Sequence, residues 1–119
     1  MEISDAIETL SALAQASRLN IFRLLVRSGP EGMPAGAIAE TLRVPSNTLS
    51  AHLGILARAK LVTARKDGRS VIYAVDLAGT RKLLSFLVED CCGGAPEQCT
   101  PLLDSALQDC CKTQACCAT

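Results

Sequence analysis

The chain has 119 residues, which suffice for one domain with a modest core and hardly for two. Hydrophobic residues make up 49% of the chain but aromatic residues only 3%, so the core must be aliphatic. No apolar run approaches the roughly 20 residues that a membrane-spanning helix needs, and the acidic N-terminus does not resemble a secretory signal. We therefore expect a cytoplasmic protein without a membrane partner.

The first part of the chain predicts two helices. Spacings of four, three and four residues indicate the apolar stripe of the first helix, formed by Ile3, Ile7, Leu10 and Ala14. Ser17 is a suitable N-cap for the second helix, whose inward-facing residues are expected to include Leu19, Phe22 and Val26. The second helix should end at Ser28-Gly29-Pro30, since Gly and Pro both favour the end of a helix.

A closely spaced pair of helices follows. A short third helix is expected from about Pro34, which a first turn tolerates, to Leu42. Val44-Pro45 interrupts the chain and Ser46 can cap a fourth helix, whose apolar face is formed by Leu49, Leu53 and Leu56. Two short helices joined by a tight turn are typical of a helix-turn-helix.

The apolar period changes after residue 60. The β-prone runs 61–64 and 71–75 flank Asp67-Gly68, which is a strong signal for a hairpin. A fifth helix should begin near Leu77 and end at Gly93-Gly94, with an apolar face of Leu83, Leu84, Leu87 and Val88. A helix-turn-helix followed by a hairpin predicts a winged helix-turn-helix, mainly α with a small β-hairpin.

The charges of the chain are unevenly distributed, although its net charge is zero. Residues 41–82 contain eight bases and two acids, a net charge of +6, whereas residues 83–119 contain one base and five acids, a net charge of −4. Such a basic central segment suits a polyanion, and the acidic tail suits a cation or metalloid.

In a winged helix, the capped helix enters the DNA major groove and the hairpin contacts phosphate or the minor groove. On a helical wheel, one face of the fourth helix lies opposite its leucines and carries small and polar residues that could approach double-stranded DNA closely. The predicted DNA-binding residues are Ser46, Asn47, Thr48, Ser50, Ala51, His52 and Arg58 on this helix and Arg65, Lys66 and Arg69 on the hairpin. His52 lies near the leucine face, so a satisfied, half-buried histidine is an equal alternative for that residue.

The sequences ASRLNIFRLL, AIAETLRVPSNTLSAHLGILARAKLV and RKDGRSVIYAV occur in this order between residues 16 and 75. The chain from about residue 5 to residue 90 resembles the ArsR/SmtB family of metal-responsive repressors. The resemblance implies a homodimer paired through its first and last helices, which binds a partly palindromic operator and is released by an inducer. It also implies a DNA-binding and dimerisation domain over residues 1–92 and a cysteine-rich segment over residues 93–119 that completes the inducer site.

All seven cysteines lie after residue 90. In a reducing cytoplasm, such a cluster indicates metal or metalloid binding or redox sensing more than disulfides. Residues 37–42 contain no thiol and the fifth helix contains no His, so two inducer sites that other family members use are not expected here. The sequence EDCCGGAPEQC resembles a third type, an arsenic(III) site with Cys91, Cys92 and Cys99 as ligands.

The chemistry of this stretch agrees with the resemblance. Trivalent arsenic is soft and takes three thiolates in a pyramid. Neighbouring residues on a helix point about 100° apart, and Gly93-Gly94 can end the helix so that Cys99 returns over the pair. As(III) is therefore the expected inducer, with Sb(III) or methylarsenite as related ones. A zinc, cadmium or lead site and thiol-redox sensing remain alternatives, and a short loop favours ligands from one chain.

The remaining cysteines form a second cluster, which could be an auxiliary thiol site or a dispensable tail: Cys110, Cys111, Cys116 and Cys117. An enzyme is the alternative from a different class. The chain has no Cys-x-x-Cys, no nucleotide-binding glycine motif and no Arg after Arg81 to complete the anion loop of an arsenate reductase. We therefore expect a transcriptional repressor without enzymatic activity or an organic cofactor.

Overall fold

The computed structural model describes residues 1–88 of the chain. The predicted end of the fifth helix, the boundary after residue 92 and all seven cysteines lie outside the described residues. Five helices and three short strands occupy the described part, and their bounds are α1 (Ile3–Leu13), α2 (Ala16–Ser28), β1 (Met33–Pro34), α3 (Ala35–Leu42), α4 (Ser46–Arg58), β2 (Val62–Asp67), β3 (Ser70–Val75) and α5 (Leu77–Val88). This architecture is a winged helix-turn-helix and confirms the predicted fold class.

Residues Met1–Leu83 form one compact unit, so a unit boundary falls within α5. The core of this unit is aliphatic, as the composition predicts, and nine buried residues form its main cluster: Ala12, Ile21, Leu25, Ile38, Leu49, Leu53, Leu56, Leu61 and Val62. Of the second unit, the structure describes the last turn of α5, where Leu84 and Leu87 are exposed.

Helix α1 begins where the sequence predicts, but its apolar stripe does not face the core of its own chain. Ile3 and Ile7 are 68% and 58% exposed, and Leu10 is also exposed. The buried face consists instead of the small residues Ala6, Thr9 and Ala12. The inward packing of α1 is therefore made by short side chains, and its large apolar side chains are left on the surface.

Helix α2 differs from the prediction in its N-cap and in its buried face. Its N-cap is Gln15, whose side-chain oxygen accepts a hydrogen bond from the Arg18 backbone at 2.9 Å, and not Ser17. Its buried residues are Ile21 and Leu25, whereas Leu19 and Val26 are exposed and Phe22 is half-buried. Arg18 connects α2 to α1, because its Nε donates to the carbonyl of Ala12 at the end of α1 at 2.6 Å.

The helix-turn-helix consists of α3 and α4, and its turn contains a left-handed residue. Arg43 has a φ of 55°, and the Val44 N–H donates back to the Ala39 carbonyl at 3.0 Å. Pro45 is the N-cap of α4, so Ser46 is the first helical residue rather than the cap. The buried face of α4 is the predicted one, formed by Leu49, Leu53 and Leu56.

The predicted hairpin is confirmed, and its strands are longer than expected. Strands β2 and β3 are antiparallel from Val62, which pairs with Val75, to Asp67, which pairs with Ser70. The two residues between them include Gly68 with a φ of 63°, which a tight hairpin turn requires.

Strand β1 is a two-residue element that the sequence did not predict. It makes the sheet order β1-β3-β2, with Met33 opposite Tyr73. Gly32 precedes β1 with a φ of 77°, and a Cβ at this position would overlap the Tyr73 carbonyl oxygen. The strand therefore depends on a close backbone approach that only glycine permits.

The start of α5 packs tightly against the turn that ends α4. The Asp76 carboxylate accepts from the Gly79 N–H at 2.9 Å and thereby caps α5. A Cβ at Gly79 would overlap the carbonyl oxygen of Lys60, a residue with a φ of 62°. The glycine thus permits direct contact between the first turn of α5 and the end of α4.

Candidate nucleic-acid interface

Helix α4 presents a polar, solvent-accessible face opposite its three buried leucines. Pro45 starts the helix at Ser46, and this register turns most of the predicted DNA-binding residues outward. Six of them are exposed, namely Ser46, Asn47, Thr48, Ser50, Ala51 and Arg58. Gly54 on the same face has nothing within 4 Å of the place a Cβ would occupy, so this part of the helix surface is open.

Asn47 has a local hydrogen bond in the first turn of α4. Its side-chain oxygen accepts from the Thr48 N–H at 2.9 Å, which satisfies one of the backbone donors that a helix start leaves free. A bidentate pair with adenine uses both the oxygen and the nitrogen of an Asn side chain. Asn47 would therefore have to exchange this bond for a base edge.

His52 is half-buried, as the helical wheel indicates, but it is not a satisfied histidine. Its Nδ1 atom is buried and has no hydrogen-bond partner among the described residues. Among the described residues, the ring thus has no polar contact at Nδ1.

The β2–β3 hairpin carries three basic residues, and their surroundings differ. Lys66 and Arg69 are exposed at or next to the turn. Arg65 is exposed too, but its Nη2 donates to the Glu31 carbonyl oxygen at 3.0 Å. Arg65 is thus tied to the loop that precedes β1.

Two features of this surface were not predicted as parts of the site. Arg43 is exposed in the turn between α3 and α4, next to the start of the exposed α4 face. Its charge was part of the basic segment, but nothing in the sequence indicated its left-handed conformation. The hydrogen bond of Arg65 was also missed, because it joins residues 34 positions apart.

Within residues 1–88, no three His, Cys, Asp or Glu side chains lie together in a way that could hold a metal ion. Asp76, one of the acids that a zinc site on the fifth helix would use, is engaged in capping α5. No helix in the described part of the chain is long and apolar enough to cross a bilayer.

Known proteins with the same arrangement are regulators. Residues 13–65 match the helix-turn-helix domain family. The uncharacterized HTH-type transcriptional regulator Rv0081 of Mycobacterium tuberculosis is 32% identical over 90 residues, covering 70% of this chain and 77% of that protein. The chain belongs to the helix-turn-helix transcriptional regulators. Membership in this family makes it a transcriptional regulator with a DNA-binding fold.

Solved structures support the ArsR/SmtB type within this family. A possible ArsR-family transcriptional regulator, the homodimeric Mb0332 domain from Mycobacterium bovis, is 28% identical with a TM-score of 0.59 and covers 74% of this chain and 82% of its own. A possible transcriptional regulator for arsenical resistance is 31% identical with a TM-score of 0.60, covering 67% of this chain and 80% of its own. The fold of this chain is thus one that it shares with ArsR-like transcriptional regulators.

Proposed function

We propose that this regulator is an arsenic(III)-responsive repressor, which binds operator DNA as a homodimer and dissociates when three cysteine thiolates bind As(III). The observation that carries the DNA-binding part is the exposed polar face of α4 beside a basic hairpin. The inducer part is supported by the Cys91, Cys92 and Cys99 triplet in the sequence. Because its proposed ligand is operator DNA, we expect the protein in the cytoplasm.

The exposed α4 face would lie in the major groove. Ser46, Thr48 and Ser50 can reach base edges or phosphates, while the small side chain of Ala51 allows close approach to the groove. Lys66 and Arg69 on the hairpin would contact the DNA backbone. Basic side chains contribute affinity there but little sequence information. Sequence preference should therefore depend on α4, and the salt dependence of binding should depend on the hairpin.

Exposed apolar side chains support the homodimer. The α1 stripe of Ile3, Ile7 and Leu10 is exposed, as are Leu84 and Leu87 on α5. Exposed clusters of large apolar residues commonly mark protein–protein contacts. A second copy of the chain covering these residues would present two α4 helices to the half-sites of one operator.

The cysteine triplet suits a trivalent metalloid. Three thiolates satisfy As(III), whereas Zn(II) prefers four ligands in a tetrahedron. The similarity to a possible transcriptional regulator for arsenical resistance supports a role connected with arsenic. Cys110, Cys111, Cys116 and Cys117 have no part in the primary site and would act at most as auxiliary ligands.

Binding at the triplet would act on DNA through α5. The first turn of α5 contacts the end of α4 at Gly79 and Lys60, so a change in α5 has a direct route to the DNA-binding helix. A useful switch needs a coupling free energy of about 1–3 kcal/mol. We expect As(III) to lower DNA affinity by a corresponding factor of about 5 to 150.

The test is fluorescence anisotropy with duplex DNA from upstream of the protein's own gene, titrated with As(III) under reducing conditions. We expect near-stoichiometric release, lost in Cys91→Ser, Cys92→Ser and Cys99→Ser and retained in Cys116→Ser, the matched control. Parallel titrations with Sb(III), methylarsenite, Zn(II) and Cd(II) define the inducer.

The possible results separate the two parts of the proposal. Release by Zn(II) or Cd(II) alone, or only on oxidation of the thiols, would keep the repressor and reject the arsenic assignment. Full induction of Cys91→Ser by As(III) would reject the triplet as the site. A protein that never binds the upstream duplex would contradict the DNA-binding role of the α4 face.

A further inference from the structure

The side chain of Arg65 joins two segments that the sheet keeps apart. The sheet order is β1-β3-β2, so β3 lies between Arg65 on β2 and the residues that lead into β1. The Arg65 Nη2 nevertheless donates to the carbonyl oxygen of Glu31, two residues before β1, at 3.0 Å. This guanidinium therefore crosses the central strand.

The strand register shows which face of the sheet Arg65 occupies. Arg65 pairs with Ile72, and Ile72 pairs with Pro34 on the other side, so these three residues form a row across the sheet. Directly paired residues lie on the same face, and Ile72 on that face is buried. Lys66 follows Arg65 in the strand and therefore lies on the opposite face. These two neighbouring basic residues of the hairpin thus have different surroundings.

The loop that receives the hydrogen bond is a tight reversal. Gly29 and Gly32 both have a φ of 77°, and the Gly32 N–H donates to the Gly29 carbonyl at 3.2 Å. Gly32 also contacts the backbone of Tyr73 on β3 so closely that a Cβ would overlap it. A hydrogen bond to Glu31 thus connects β2 to a part of the chain that already packs on the central strand.

We propose that Arg65 is a positioning residue: it holds the β2–β3 hairpin against the loop after α2, so that Lys66 and Arg69 are presented to DNA, and it binds no phosphate itself. The proposal rests on DNA binding by the hairpin. It assigns different roles to the three basic residues of the hairpin: one orients the hairpin, and two contact the DNA backbone. Residues of equal charge on the hairpin thus have two different roles.

The salt dependence of DNA binding distinguishes these roles, because each lost phosphate contact lowers the slope of log K against log salt by about 0.9. In a dimer, Lys66→Gln should lower the slope by about 1.8. Arg65→Gln should raise Kd about fivefold, the usual effect of one hydrogen bond, and leave the slope within about 0.5 of the original protein. The probe is the duplex from upstream of the gene, with an unrelated duplex as control.

Hydrogen exchange of residues 29–34 provides a readout that does not depend on DNA. Arg65→Gln should increase exchange in this segment severalfold, while Lys66→Gln should not. Glu31→Ala is the matched control, since it removes the side chain and keeps the carbonyl that accepts the bond. It should leave the segment protected, and far-UV circular dichroism confirms that all variants are folded.

The outcomes separate this proposal from the proposed function. A slope lowered in Arg65→Gln as much as in Lys66→Gln would make Arg65 a phosphate contact and overturn the positioning role. Unchanged exchange in Arg65→Gln would overturn it as well. If the original protein bound neither duplex, the function would fail, whereas faster exchange in Arg65→Gln alone would still support the tie between hairpin and loop.

Discussion

Helices α1 and α4 both carry a regular apolar stripe, yet they use it in opposite ways. Leu49, Leu53 and Leu56 of α4 are buried in the core of their own chain, and the polar side of that helix is exposed. In α1 the large side chains, such as Ile3 and Ile7, are exposed, and the buried side consists of small residues. Apolar periodicity therefore identifies a face that must be covered, but it does not say what covers it.

The difference has a physical explanation. Short side chains on the inner face let α1 lie close to its neighbours, and the Thr9 hydroxyl there donates to the Asp5 carbonyl of its own helix at 2.9 Å. The large outer residues then form a surface whose burial would favour association, since each fully buried Ile contributes about 1.5–3 kcal/mol. We expect α4 substitutions to affect folding and outer α1 substitutions to affect assembly.

The largest effect is expected from Leu53→Ala in α4. Leu53 is 1% exposed, and truncating a buried leucine costs the transfer energy of the lost atoms plus the energy of the cavity. The free energy of unfolding should fall by about 2–5 kcal/mol. Urea denaturation followed by circular dichroism measures this loss, and a change below about 1 kcal/mol would contradict the assigned core.

A somewhat smaller effect, of a different kind, is expected from Ile7→Glu in α1. If a second copy covers this stripe, each protomer should lose up to the burial of one Ile, about 1.5–3 kcal/mol. Analytical ultracentrifugation should show monomers at concentrations where the original protein is dimeric, with unchanged helix content.

Asn20→Glu is the control for Ile7→Glu, because it adds the same charge at an exposed position of α2. It should remain dimeric. Dimers of equal strength in the Ile7→Glu variant would show that the exposed α1 stripe has another partner and would remove this support for the homodimer.

The smallest effect is expected from Ala6→Leu on the buried side of α1. Ala6 is 2% exposed, so a larger side chain overpacks a space filled by a methyl group. Such overpacking costs about 1–3 kcal/mol, and thermal unfolding should show a lower Tm. A variant of unchanged or higher stability would mean that α1 is only loosely packed on this side.

Much of the fold could be predicted because local signals and packing agree. The turn glycine at residue 68, the proline before α4 and the leucine spacing of α4 each favour the conformation that the structure contains. The predicted inner face of α2 was wrong because packing between helices, which buries Ile21 and Leu25, decides the rotation of a helix with apolar residues on several sides. Strand β1 has only two residues and thus no period that a sequence could reveal.

The candidate site was predictable in part for the same reason. The exposed face of α4 follows directly from its leucines, since a helix with one buried side exposes the other. The role of Arg65 did not follow, because a basic residue near a hairpin turn has the same sequence signal whether it contacts DNA or a distant carbonyl. The contact depends on where the folded chain places the loop before β1, and no local sequence signal gives that position.

Tyr73 gives the protein a built-in optical reporter. It is the only tyrosine in a chain without Trp, so nearly all intrinsic emission comes from this one side chain. The residue is half-buried on the central strand, opposite Met33 and beside Gly32. Any ligand or substitution that alters the junction between hairpin and α2 loop should change this emission, without attachment of a dye.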